Sequence, residues 1–534
     1  MPAPELLLPQ LLARTLARVT ERVAFLSESR RVTYETFGRD VHAVAAGLQR
    51  RGIQRGDRVA LMMPNSVEFA VALFALWEIG AVAVPTCTIY TRTEASAQWR
   101  DAGAVLILAD AKCAEVACAA AGDCSPAPAV VFVSAGAHGA DSASWSAWLA
   151  AGERPAPVAL TADDLACLQY TGGTTGVSKG AMLTHANIVA NVFQSAACVG
   201  LGRAEHDVLV GALPFFHIFA LTCVLAGGVA HGATVIVLPR FEPRNVVETF
   251  RRHRPTIFHG VPTMFIGLLN TPEAAPEDFD SIRVCMSGGA ALPVEVMRNF
   301  QARLLRHGQI SEGYGLSETS PVTHANPPDG PVVAGSIGRP APETEVRVVD
   351  VETGTRELPV GEAGEIVIRG PQVMKGYWQA PQETARVLRD GWLHTGDIGY
   401  CDDAGYYFLI DRKKDLVIAG GFNVYPREVE EALFRHPAIA EAVVIGVPDP
   451  YRGETVKAFV VRRPEAALDA EAVIAHCRQH LASYKVPRLV EFRAALPKSG
   501  VGKYLRRELR AEEMVRAQAA QTDMPKRAAT GLQA

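Results

Sequence analysis

Through much of the first 320 residues, short apolar runs alternate with longer runs of helical spacing. Residues 58–63, 81–85, 105–109, 130–133, 165–170, 208–213, 234–238 and 283–287 read as strands. Residues 66–79, 181–193 and 243–252, and a run beginning at Ile218, read as helices. Short strands alternating with helices predict parallel sheets covered by helices. Residues 135–157 are rich in Ala, Ser, Gly and Pro and are expected to form a loop excursion. From about residue 343 the texture changes: 345–350, 364–369 and 405–411 are short strands with turn residues between them, a small β-rich subdomain. Beyond residue 411, strands at 441–447, 455–462 and 488–492 and a helix at 470–482 give an α+β pattern, and the tail past Glu513 is expected to fray. The fold class is therefore α/β. A large N-terminal lobe of residues 1–410 precedes a small C-terminal lobe of residues 411–534.

Bulk properties remove several classes of function. A chain of 534 residues exceeds one core. Its net charge of −4 provides no basic field for nucleic acid. Ten cysteines are scattered singly, without C-x-x-C pairs, which points to a reducing cytoplasm and away from a disulfide framework or zinc ribbon. The N-terminus lacks the basic region of a signal peptide. The most apolar stretch, 221–238, is interrupted by His231 and glycines and reads as a helix followed by a strand. Peripheral contact with the inner face of the membrane stays open.

The chemistry begins at Tyr170-Thr171-Gly172-Gly173-Thr174-Thr175-Gly176-Val177-Ser178-Lys179-Gly180. Glycines let backbone N–H groups approach an anion, threonine hydroxyls donate to it, and Lys179 adds a charge. With a strand before it and a helix expected after it, this is a polyphosphate cradle. It is not a Walker A loop, because no Gly-Lys-Ser/Thr stands at the required spacing. Within it, Gly176-Val177-Ser178-Lys179-Gly180 also satisfies G-x-S-x-G, so a serine hydrolase using Ser178 is a rival reading. An elbow needs its serine at the tip of one tight strand-to-helix turn, and residues 171–175 already separate the strand from Gly176.

Four further signatures follow in order. Glu312-Gly313-Tyr314-Gly315-Leu316-Ser317-Glu318-Thr319 sets an aromatic ring between glycines and a hard carboxylate suited to Mg²⁺. Asp390-Gly391-Trp392-Leu393-His394-Thr395-Gly396-Asp397 offers, in an expected tight turn, a carboxylate able to accept two hydroxyls. Asp411-Arg412-Lys413-Lys414-Asp415 opens the C-terminal lobe, with Gly420-Gly421-Phe422-Asn423-Val424-Tyr425-Pro426 shortly after it. Pro497-Lys498-Ser499-Gly500-Val501-Gly502-Lys503 ends the series. A lone T-G-D is ordinarily an Asx turn, and a lone charge run a solvated face.

Taken together and in this order, the five resemble the signatures of the adenylate-forming superfamily of acyl-CoA synthetases, adenylation domains and luciferases. Residues 168–191, 390–398 and 411–426 look most like bacterial medium- and long-chain fatty-acid–CoA ligases. The resemblance implies that Thr171 to Gly176 and Lys179 hold ATP phosphates, Tyr314 packs on adenine, Ser317 contacts phosphate and Glu318 binds Mg²⁺. Glu312, Gly313 and Gly315 belong to the same nucleotide-binding element. It implies that Asp397 holds the ribose, Arg412 contacts the nucleotide, Lys414 is the pivot between lobes, Gly420 and Gly421 line the coenzyme A channel, and Lys503 is the catalytic lysine. The family pattern usually has Ser-Gly-Lys where this chain has Val501-Gly502-Lys503. His217 matches a position beside the acyl carboxylate, although a ring within residues 213–219 is equally a satisfied core histidine. The acyl pocket would draw on residues 217–221, Gly288, Gly289, Ala290, Pro321 and Val322, which lack a Lys or Arg to pair a second carboxylate. The implied reaction joins a fatty acid to coenzyme A through acyl-AMP. An aryl acid and an acyl-AMP ligase without CoA transfer stay as alternatives. His476 and His480, at i and i+4, read as a solvated face, since no glutamate follows His476 as in H-E-x-x-H.

Overall fold

The computed structural model describes residues 6–28, 30–134, 143–171, 178–412, 415–419, 422–449, 451–464 and 466–522. Two compact units divide the chain. One comprises Met1–Leu292, Met297–Thr395 and Tyr400–Phe408; the other comprises Pro293–Val296, Gly396–Gly399 and Leu409–Ala534.

In the first unit, a six-stranded sheet runs in the order Ala129–Phe132, Leu106–Ala109, Arg58–Met62, Val82–Pro85, Leu165–Thr171, Lys179–Thr184. Its first five strands are parallel and the last is antiparallel. A nine-stranded sheet has the order Arg339–Pro340, Val322–Ala325, Gln309–Gly315, Val284–Ser287, Ile257–Gly260, Val208–Gly211, Thr234–Val237, Val23–Leu26, Arg31–Thr33. Its middle is parallel and both ends turn antiparallel. One core cluster includes side chains from both sheets and from the helices Tyr34–Arg50 and Val67–Glu78. The second of these helices is apolar nearly all round, the pattern of a helix buried on every side. Phe69, Phe74 and Trp77 on it are essentially inaccessible, and each contributes about 1.5–3 kcal/mol of burial.

A small antiparallel sheet follows, with Trp392–Cys401 flanked by Gly364–Arg369 and Leu388–Arg389 and paired also with Tyr407–Arg412. The second unit is built on the long hairpin Ile439–Asp449 and Gly453–Arg462, with Val417–Ala419, Phe422–Val424 and Leu489–Phe492 completing its sheet. The helices Pro426–Phe434 and Ala470–His480 close its core with Val429, Leu433, Val473 and Cys477. This is the α/β lobe and smaller α+β unit that the pattern predicts.

Three local expectations fail. The helix predicted over 181–193 begins only at His185, because Lys179–Thr184 is a strand pairing antiparallel with Leu165–Thr171. Thr184 then caps the helix His185–Val199, accepting from the Asn187 amide at 3.1 Å while Asn187 accepts from the Thr184 amide at 3.0 Å. Within the expected loop 135–157 lies the helix Ala143–Ala151. Its anchors are Trp145 and Trp148, both buried, and Trp148 fills the space above Gly47, where a Cβ would come 2.2 Å from the indole. The tail does not fray at Glu513: a helix runs Arg506–Thr522, and residues 523–534 lie outside the described residues. Leu509 is buried, Arg510 pairs with Asp415 at 2.8 Å and Arg516 with Glu491 at 2.7 Å.

Candidate active site

The Gly/Thr run connects two antiparallel strands rather than a strand and a helix. Thr171 stands opposite Lys179 in the ladder. Ser178 donates its hydroxyl to the Thr171 carbonyl at 2.6 Å. Gly172, Gly173, Thr174, Thr175 and Gly176 lie outside the described residues. Among the described residues, Lys179–Thr184 stands where the helix was expected, so Ser178 does not sit on a strand-to-helix turn as a nucleophile elbow requires. Ser178 leads into a strand, and its hydroxyl is committed to a backbone carbonyl.

Lys179 extends to Glu383, with which it forms an ion pair, and its ammonium lies 5.4 Å from the centre of the Tyr377 ring. Glu383 is held below the usual carboxylate range by that hydrogen bond. Tyr377 donates its hydroxyl to Glu318 Oε1 at 2.7 Å. Burial first, and the Glu318 charge second, push the phenol upward, so it stays a donor at neutral pH. Lys179 and Glu318, distant in sequence, thus share one tyrosine.

Backbone bonds hold this arrangement. The Met374 amide donates to the Glu318 carbonyl at 2.8 Å, and Ser320 Oγ donates to the Gln372 carbonyl at 2.9 Å. The Lys375 amide donates to Met182 O at 3.0 Å, Met182 returns a bond to Gly376 O at 2.9 Å, and Trp378 donates to Gly180 O at 2.8 Å. Residues 372–378 therefore form a strap along the outer edge of Lys179–Thr184 that also grips the Ser317–Thr319 turn. Gly315 is required beside that turn, since a Cβ there would come 1.9 Å from the Pro321 carbonyl oxygen. Tyr377, Glu383 and the strap were not marked by any sequence motif. The one available signal was an aromatic pair, Tyr377-Trp378, set between Gly376 and Pro381.

Gly313, Tyr314 and Gly315 end the strand Gln309–Gly315, where Glu312 and Tyr314 are buried. The Tyr314 ring packs on His324 at 5.7 Å between centroids. Gly289 sits at φ +82 and is exposed, as is Ala290. His217 accepts the Phe219 amide on Nδ1 at 3.2 Å. Asn65 fixes the turn before it, donating to Leu213 O at 2.8 Å and accepting from the Phe215 amide at 2.7 Å.

In the second unit, Asp397 is buried and its Oδ1 lies 3.2 Å from Arg412 Nε. Asp397 does not occupy the expected tight turn. The turn falls at Asp390 and Gly391, φ +49 and +80, while Asp397 is in the strand Trp392–Cys401 just past Gly396, φ +71. Lys503 belongs to a hydrogen-bonded turn. The Ser499 amide donates to Lys503 O at 2.8 Å, and the Lys503 amide donates to Ser499 Oγ at 3.2 Å. Lys414, Gly420 and Gly421 lie outside the described residues. His476 engages the Ala432 carbonyl and stacks edge-on with His436 and His480. Among the described residues, no group of three or more His, Cys, Asp or Glu could hold a metal, and no helix is long and apolar enough to cross a membrane.

Comparison with known proteins agrees with this reading of the chain. Residues 12–378 match the family model described as AMP-binding enzyme, and residues 428–503 match the AMP-binding enzyme C-terminal domain. A long-chain-fatty-acid–CoA ligase of Bacillus subtilis is 43% identical, with 96% of each chain covered. A feruloyl-CoA synthase of Amycolatopsis is 38% identical over 90% of this chain and 93% of its own. The ATP-bound crystal structure of MatB from Rhodopseudomonas palustris is 35% identical with a TM-score of 0.85, over 94% of this chain and 98% of that one. The chain belongs to the AMP-binding enzyme family.

Proposed function

We propose that the protein is an ATP-dependent acid–CoA ligase that activates a fatty acid as acyl-AMP and transfers the acyl group to coenzyme A, releasing AMP and pyrophosphate. The convergence of Lys179 and Glu318 on Tyr377 carries this reading: a cation and a hard carboxylate stand together beside the Gly/Thr run. One carboxylate fits Mg²⁺ delivered with ATP, since that ion keeps several waters and takes only one or two protein carboxylates alongside phosphate oxygens. Glu318 would hold it, and Mg²⁺ would neutralise phosphate charge as pyrophosphate leaves.

In this reading Thr171 to Gly176 and Lys179 cradle the phosphates, with Ser317 beside them. Glu312, Gly313, Tyr314 and Gly315 frame the base. Asp397 accepts the ribose hydroxyls, and Arg412, paired with it, steadies the nucleotide. His217 orients the acid carboxylate near Gly289. Lys503 lies between carboxylate and α-phosphate as their bond forms and offsets the repulsion of two anions. The N-terminal lobe, residues 1–410, supplies the nucleotide and acid sites. Residues 411–534 supply Lys503 and the Gly420-Gly421 channel loop, and pivot at Lys414 between the two half-reactions. Cytoplasmic residence accords with ten free cysteines, and peripheral membrane contact would deliver an apolar acid.

Pyrophosphate release across acids from acetate to stearate, and across aryl acids, with and without CoA, tests the proposal. Release that requires both ATP and a long-chain acid, with thioester formed on adding CoA, is expected. Ester hydrolysis without ATP would overturn it. An aryl acid is the second reading, supported by the feruloyl-CoA synthase relative. A preference for cinnamates over every fatty acid would select it.

A further inference from the structure

One face of the nine-stranded sheet carries polar side chains that its apolar surroundings do not explain. His259 on Ile257–Gly260 stands in register with Met286 on Val284–Ser287, and Met286 with Ser311 on Gln309–Gly315. Partners in register on parallel strands project to the same side. His259 is 2% exposed and Ser311 fully buried. Among the described residues, Ser311 Oγ reaches only the Met286 sulfur, at 3.8 Å, a weak acceptor. Nδ1 of His259 has no hydrogen-bond partner among the described residues, and neither has the buried hydroxyl of Thr222 in the π-helix Ala220–Ala226. Buried polar atoms are normally paired, and π-turns concentrate at functional sites.

Phe219, which leads into that π-helix, links this face to the acid site. Its ring meets the His259 ring edge-on at 5.6 Å and 89°. The same ring lies over Gly288, where a Cβ would come 3.0 Å from it. Gly288 follows directly on the strand Val284–Ser287, and its amide donates to the carbonyl of Gly260, the residue after His259, at 3.0 Å. Burial lowers the imidazole to about 4, leaving it neutral with one nitrogen donating and one accepting. Such a group matches a neutral hydroxyl. An all-apolar tail would leave it unpaired, and a second carboxylate would find no cation on it.

We propose that His259 recognises the far end of the acid, so that the enzyme takes a carboxylic acid whose tail carries a neutral hydroxyl, aliphatic or phenolic. This rests on the acid–CoA ligase reading above. The experiment compares kcat/KM for two matched pairs: a terminal hydroxy fatty acid against its plain parent of equal length, and para-hydroxycinnamate against cinnamate. In His259→Leu the hydroxy-to-plain ratio should fall about tenfold for at least one pair, roughly the worth of one hydrogen bond, and His259→Gln should restore part of it. The pair that responds identifies the tail as aliphatic or phenolic. Equal ratios in wild type and His259→Leu for both pairs would overturn the proposal. Failure of His259→Leu to fold would also overturn it, by showing the ring to be structural. If wild type releases pyrophosphate with no acid at all, the ligase reading itself fails. The thermal midpoint without substrate then decides the remaining point. A midpoint above wild type for His259→Leu supports an unpaired ring built for a ligand, and one at or below wild type shows a satisfied core histidine.

Discussion

Tyr377 is the residue on which the proposed phosphate site turns, and it separates two roles that a lysine and a glutamate could not fill alone. Its hydroxyl fixes one oxygen of Glu318, and its ring lies beneath the Lys179 ammonium. Tyr377→Phe keeps the ring and removes only the donor. Hydrogen bonds to charged groups are worth roughly 1.5–3 kcal/mol, less where solvent reaches them, so KM for MgATP should rise about tenfold. The Mg²⁺ concentration for half-maximal rate should rise with it, and acid preference should not move. A lost rate with unchanged Mg²⁺ dependence would assign Tyr377 to folding instead. Glu383 makes the opposite prediction. Its carboxylate occupies Lys179 and so competes with phosphate for it. Glu383→Gln should lower KM for ATP, measured at saturating acid. A raised KM would mean that Glu383 aims Lys179 at the phosphates.

Elements were legible wherever local pattern and long-range pairing agreed. The βα rhythm placed the strands it named in the two large sheets within a residue or two, because a strand covered on both faces is apolar throughout, but it passed over Val23–Leu26, the fully buried Ile257–Gly260 and Gln309–Gly315. It failed at residues 181–184, where Ala, Met and Leu favour a helix but the chain folds back on Leu165–Thr171. It failed again at Ala143–Ala151, where small residues hid two tryptophan anchors. In the candidate site, Lys179 and Glu318 were readable from motifs, while Tyr377 and Glu383 were not. Tyr377 is placed by a strap whose bonds are made by backbone, which carries no side-chain signature, and Glu383 by the short helix Pro381–Val387 that follows it. The same structure refines how the acyl wall is to be probed. Gly289 at φ +82 would strain under any side chain, so a bulky residue there confounds volume with backbone. Ala290, next to it and exposed, lacks that problem. Ala290→Trp should lower kcat/KM for long acids more than for short ones, because the indole takes up volume the tail would fill. An unchanged long-to-short ratio in a folded variant places the acyl pocket elsewhere.

At the scale of the whole molecule, the proposed reaction needs groups from both units, and that gives its sharpest test. Lys179 and Glu318 belong to the first unit, and Lys503 belongs to the second, on a turn closed by its own hydrogen bonds with Ser499. In the first half-reaction a carboxylate approaches a phosphate that already carries negative charge. A lysine between them offsets that repulsion as the bond forms, and loss of such a donor costs about 10²–10³ in rate. In the second half-reaction the CoA thiol attacks a mixed-anhydride carbonyl, and no anion pair needs to be brought together. Lys503→Ala should therefore nearly abolish pyrophosphate release from acid and ATP. Supplied with chemically made acyl-AMP and CoA, the same variant should form thioester at close to the wild-type rate. Following both steps in one preparation distinguishes catalysis from folding, since a misfolded protein loses the two together. Equal loss would move Lys503 to CoA binding or to structure, and the division of the reaction between the two units would have to be drawn differently.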